Sequence, residues 1–131
     1  MSKQVLFSGI QPTGTPHIGN YLGALKNWVE MQTSFDALYC IVDLHALTID
    51  RDPEELKKNI RESVKDLLAI GLDPKQATIF IQSHVPEHAE LAWIFNTLTP
   101  VAELERMTQY KDKTSEEKNN NAGLLTYPLL M

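Results

Sequence analysis

Three short apolar runs, separated by stretches of helical period, constrain this chain more than any other feature. Val5-Leu6-Phe7 (closed by Ser8-Gly9), residues 37–42 and Thr78-Ile79-Phe80-Ile81 each suit a buried strand. Between the first two, Leu22, Leu25 and Val29, with Trp28 beside them, recur at three- and four-residue spacing and predict a helix over residues 19–32. Asp43-Leu44-His45 reads as the exit of the second strand. Asp52 then suits an N-cap, Pro53 the first helical turn and Glu55 a capping-box-like position. Leu56, Ile60, Val64, Leu67 and Leu68 make that helix's apolar stripe, and Gly71 can close it. Past Pro86, Leu91, Trp93, Ile94 and Leu98 predict another helix, and Leu104 and Met107 a shorter one. Residues 111–121 carry no apolar side chain and read as a mobile loop. Strand and helix in alternation are the signature of a parallel α/β sheet with flanking helices. Its ligand loops belong at the carboxyl ends of the strands.

Composition narrows the class. A length of 131 residues permits one domain, and 43% hydrophobic with 22% charged residues is ordinary for a globular chain. Twelve basic against seventeen acidic residues give a net charge of −5. That excludes a surface-wide electrostatic grip on nucleic acid and leaves a local basic patch open. The one cysteine, Cys40, lies in an apolar run, so neither an intrachain disulfide nor a multi-cysteine metal site can be built. Pro86 between His84 and His88 spoils the helical spacing of a zinc pair. The amino terminus lacks a signal-peptide core, and no run approaches the ~20 apolar residues of a bilayer span. A soluble, cytoplasmic, reduced protein is expected. The sequence ends on apolar residues, and three strands are few for a doubly wound sheet. The chain therefore reads as cut partway through a fold.

Residues 9–20, Gly-Ile-Gln-Pro-Thr-Gly-Thr-Pro-His-Ile-Gly-Asn, join the first strand to the first helix. Unpaired N–H groups at a helix start favour an anion, and Gly19 allows close approach to the backbone. The loop is neither a Walker P-loop nor a G-x-G-x-x-G fingerprint. Composition alone leaves two readings open, an anion-binding loop or a Pro/Gly connection with His17 as an exposed cap.

Pro16-His17-Ile18-Gly19-Asn20 resembles the HIGH signature of class I aminoacyl-tRNA synthetases. The strings Phe7-Ser8-Gly9-Ile10-Gln11-Pro12-Thr13-Gly14 and Gly19-Asn20-Tyr21-Leu22-Gly23-Ala24-Leu25 are similar to the bacterial-type tryptophanyl-tRNA synthetase family. So are Ile41-Val42-Asp43-Leu44-His45-Ala46, Ile81-Gln82-Ser83-His84-Val85-Pro86, residues 103–111 and residues 122–128. The resemblance covers nearly the whole chain, with its motifs in the family's order.

It implies a Rossmann-like class I synthetase fold, here the N-terminal portion of the catalytic domain with its connecting insertion, over residues 1–131. The later half of that domain and the anticodon-binding domain lie beyond these residues. The implied reaction joins L-tryptophan to ATP, with Mg2+ carried by the nucleotide, and passes the tryptophanyl group to tRNA(Trp). By match, Gln11, Pro12, Thr13, Gly19 and Asn20 would hold ATP, and His17 would contact phosphate oxygens. Lys113 matches a loop that reaches the phosphates; its run of charges reads equally as a solvated face. Phe7, Gly9, Gln11, Val42 and His45 match positions around the amino acid, Tyr127 one near its ammonium and Met131 one against the indole. Phe7 and Val42 read equally as plain core, and His45 as a structural histidine. The family's lysine-rich ATP loop and its acidic indole partner are not among these residues. A homodimer is implied, with the inserted segment in its contact surface. The rivals are another HIGH-type nucleotidyltransferase, such as a tyrosine-specific synthetase or cofactor adenylyltransferase, or a catalytically dead binding module.

Overall fold

The computed structural model describes residues 3–108, Tyr110 and residues 121–130. Three strands, β1 (Val5–Ile10), β2 (Asp36–Ile41) and β3 (Ala77–Ile81), form one parallel sheet in the order β1-β2-β3. Helix α1 links β1 to β2 in three contiguous stretches: α-helical Ile18–Asn20, π-helical Tyr21–Leu25 and α-helical Lys26–Met31. A single turn, α2 (Asp43–Ala46), leaves β2, and α3 (Pro53–Ala69) crosses to β3. A 3₁₀ turn (Gln82–His84), α4 (Glu87–Leu98), α5 (Val101–Leu104), α6 (Ala122–Thr126) and a second 3₁₀ turn (Tyr127–Leu129) follow. The parallel α/β sheet with flanking helices is the expected class. Met107 falls beyond α5, and most of the loop expected over 111–121 lies outside the described residues.

The central strand organises the core. Ala37, Tyr39 and Ile41 alternate along β2 and so share a face, which packs Leu25 and Trp28 of α1 together with Leu67 of α3. Both crossover helices therefore lie on one side of the sheet. Trp28 stacks on Tyr39 with ring centroids 4.6 Å apart, and the Tyr39 hydroxyl donates to the Trp28 carbonyl at 2.9 Å. That bond satisfies the one polar atom of a fully buried ring. Buried Gln32 donates to the carbonyls of Val29 and Gly71 and accepts from the Asp73 N–H. It thereby ties the end of α1 to the end of α3.

Two sequence expectations are corrected here. Ser8-Gly9 does not stop β1 but lies inside the ladder, paired with Tyr39 and Cys40. A Cβ at Gly9 would stand 2.9 Å from Val42 Cγ1, so the glycine lets the chain after β2 close over β1. Nor is β1 buried on both faces: Val5 and Phe7 are 67% and 46% exposed, whereas Leu6 and Ile10 pack against the core. Adjacent residues on a strand face opposite ways, and the two crossover helices cover only one side.

Helix α3 starts and stops as its sequence demands. The Asp52 carboxylate accepts from the N–H groups of Glu54 and Glu55 at 3.0 and 2.9 Å, and Gly71 supplies a φ of +109° just past the end. Leu67 is buried while Leu68, one step round the helix, is exposed, so the buried stripe is narrower than expected. At the other end of the chain, Asn121 caps α6 by accepting from Leu124 N–H and donates to the Thr48 carbonyl. Leu124 is fully buried.

Candidate active site at the carboxyl end of the sheet

The loop after β1 turns sharply. Thr13 N–H donates back to the Gln11 carbonyl at 2.9 Å, Pro12 is buried, and Gly14 takes a φ of +116°. At its far end His17 and Asn20 cap α1 reciprocally. His17 Nδ1 accepts from the N–H groups of Gly19 (3.0 Å) and Asn20 (3.4 Å), while Asn20 Oδ1 accepts from His17 N–H (3.0 Å). A nitrogen that accepts carries no proton, so the neutral ring holds its hydrogen on Nε2. His17 is exposed and lines the cleft that this loop walls. Gly19 has a packing role: a Cβ there would meet His17 Cε1 at 2.8 Å.

This loop walls a cleft of about 340 Å³. Gln11, Thr13, His17 and Asn20 line it, as do Ser63 and Asp66 of α3. Pro12 and Gly19, expected beside the nucleotide, are not among the lining residues; Pro12 is buried and Gly19 exposed. Ser63 and Asp66 escaped the sequence reading, which saw only the apolar stripe of α3. The sequence signal for them was a small polar residue, now found buried, four places before Leu67. One wall thus offers hydrogen-bond donors and the other a carboxylate, an arrangement fit for a ligand carrying both anionic oxygens and hydroxyls.

The residues expected around an amino acid fall on the opposite face and at the strand ends. Phe7 and Gly9 share that face with Cys40 and Phe80 by strand register, and the rings of Phe7 and Phe80 lie 6.3 Å apart. Val42 touches the position of Gly9. His45 and Tyr127 meet edge to face, with centroids 5.9 Å apart. His45 Nδ1 donates to Oε1 of buried Gln82 at 3.0 Å, which leaves Nε2 as the acceptor of the neutral ring. Beside it, Asp43 Oδ1 accepts from the N–H groups of Leu44 and Ser83, and Oδ2 from the Ser83 hydroxyl. Those bonds lock the exits of β2 and β3 together. Burial, with Asp43 nearby, pushes the Cys40 thiol up to about 12, so this neighbour stays an inert thiol. Gln11, expected at both sites, directly follows β1 and lines the first cleft. Lys113 and Met131 lie outside the described residues.

Three comparisons bear on this geometry. The family model for class I tRNA synthetases (W and Y) matches residues 2–131. Over 126 residues the chain is 54% identical to a tryptophan–tRNA ligase of Caldanaerobacter subterraneus subsp. tengcongensis, covering 96% of this chain and 38% of that protein. Its structure superposes on tryptophanyl-tRNA synthetase from Mycoplasma pneumoniae with a TM-score of 0.94 at 40% identity, covering 100% of this chain and 40% of that one. The Campylobacter jejuni enzyme complexed with ADP and tryptophan gives 0.91 at 41% identity, covering 98% and 40%. The chain thus spans about two-fifths of the length of these relatives.

Proposed function

Since the chain belongs to the class I tRNA synthetases of the tryptophan and tyrosine type, we propose that it is the N-terminal portion of the catalytic domain of a tryptophan–tRNA ligase. The observation that carries this is the reciprocally capped His17–Asn20 pair opening onto a cleft at the carboxyl end of β1. Identity of 54% to a tryptophan–tRNA ligase favours tryptophan over tyrosine or a cofactor precursor as the second substrate.

In the proposed reaction the tryptophan carboxylate attacks the α-phosphorus of ATP, and pyrophosphate leaves. Tryptophanyl-adenylate then gives its acyl group to the terminal ribose of tRNA(Trp). The first step needs in-line positioning and charge stabilisation more than a protein nucleophile. His17 Nε2–H supplies a fixed donor toward phosphate oxygens, and the Asn20 amide nitrogen a second. Gln11 and Thr13 border the nucleotide on the loop wall, with Pro12 and Gly19 holding that wall in shape. Magnesium enters on the phosphates of ATP. On the opposite face Phe7, Gly9, Val42 and His45 border the indole and Tyr127 the ammonium, an apolar wall with a few polar groups at strand ends. The ADP and tryptophan in the Campylobacter jejuni enzyme support both halves of this reading. Lys113 as a phosphate contact and Met131 against the indole rest on the family resemblance. The full-length protein is proposed to be a cytoplasmic homodimer, a state favoured by the exposed apolar row on α4.

Tryptophan-dependent exchange of pyrophosphate into ATP tests the reading in the full-length protein. His17→Ala is expected to slow exchange by roughly 10²–10³, the usual cost of losing one preorganised donor, with tryptophan binding little changed. Unaltered exchange would remove His17 from the mechanism. Absence of exchange in the unsubstituted protein would favour the dead-module rival.

A further inference from the structure

A second cleft, of about 460 Å³, opens between the first half of α3, the segment after β2 and the exit of β3. Leu56, Ile60 and Ile81 give it an apolar lining, and three basic side chains, Arg51, Lys57 and Arg61, line it too. Lys57 and Arg61 are four residues apart and so project from one side of α3. Both are exposed, and neither forms an ion pair within 4.0 Å among the described residues. Arg51 is steadied by a bond from Nε to the Ala46 carbonyl at 3.3 Å. The carboxylate in the wall, Asp43, is already engaged by Ser83 and the Leu44 N–H. Three basic side chains thus face one engaged carboxylate around this cleft, in a chain of net charge −5.

The chemistry of the walls narrows the occupant. A small inorganic anion has no use for the apolar lining, and an apolar peptide none for three cations. An unpaired stretch of RNA uses both, with a base on the apolar surface and the flanking phosphates on lysine and arginine. We infer that this cleft docks a non-helical part of the tRNA, an inference that rests on the ligase reading and adds a contact surface to it.

The test uses the full-length protein with Lys57→Gln, Arg61→Gln and the double substitution, changes at exposed side chains that do not line the first cleft. Binding of a tRNA transcript is titrated across a range of salt, and pyrophosphate exchange, which needs no tRNA, is measured beside it. Removing both charges should weaken tRNA binding roughly tenfold and flatten the plot of log affinity against log salt by about 0.7 per charge lost. Exchange should stay unchanged. Titrations that superpose on the unsubstituted protein's would overturn the inference, as would an equal loss of affinity for an acidic peptide. Absence of exchange in the unsubstituted protein would strike the ligase reading instead, and the salt titration would still decide the cleft.

Discussion

At the residue scale, the mutual cap of His17 and Asn20 commits the imidazole to one tautomer by bonding its other nitrogen to the backbone. With Nδ1 engaged by the backbone, Nε2 is the ring nitrogen left for the donor role proposed above. Gly19 becomes a positioning residue through the same contact. Gly19→Ala would place a methyl group 2.8 Å from His17 Cε1, and the ring must swing away. The expected outcome is a loss of pyrophosphate exchange approaching that of His17→Ala, with the thermal midpoint almost unmoved, because the site is exposed and away from the core. Exchange kinetics and thermal unfolding on the same preparation check it; a large fall in the midpoint with intact exchange would contradict it. The sequence displayed the histidine and asparagine at the right spacing. It could not display Gln82 behind His45 or Ser83 behind Asp43, because those partners lie 37 and 40 positions away and meet only when β2 and β3 pair.

At the scale of elements, local rules predicted more than they did for the site. Helix α3 is legible from Asp52 to Gly71 because its cap, its stripe and its terminating glycine act within a few residues of one another. Asp52→Ala removes an acceptor shared by two N–H groups and should cost about 1 kcal/mol. A lowered midpoint in chemical denaturation with an unchanged slope would register it. Helix α1 was legible as a helix but not in its kind. The wider π turn takes Leu22 out of phase with Leu25, leaving Leu22 exposed and Leu25 buried, and apolar spacing alone does not display that shift. The π stretch begins directly after Asn20, where such irregularities tend to accompany functional residues. β1 was misread at both its burial and its end, since burial depends on which face the helices cover and Gly9 answers to a neighbour 33 residues on.

At the scale of the molecule, α4 shows where apolar pattern and burial part company. Leu91, Trp93, Ile94 and Leu98 predict the helix correctly, yet Trp93 and Leu98 are 70% and 71% exposed and only Ala92 is buried. A contiguous apolar face of this kind marks an interaction surface. If the proposed homodimer uses this face, Trp93→Glu should shift the full-length protein toward a slower-sedimenting species in analytical ultracentrifugation, and an unchanged profile would contradict that use of the face. The sheet has a different lesson. Its strands lie side by side in the order in which they occur in the chain, so each arriving strand joins an open edge and none is threaded between two already paired. A polypeptide leaving the ribosome can lay such a sheet down as it emerges, at ~5–20 residues per second. Among the described residues, those bordering the first cleft, from Ile10 to Leu67, are all synthesised before β3.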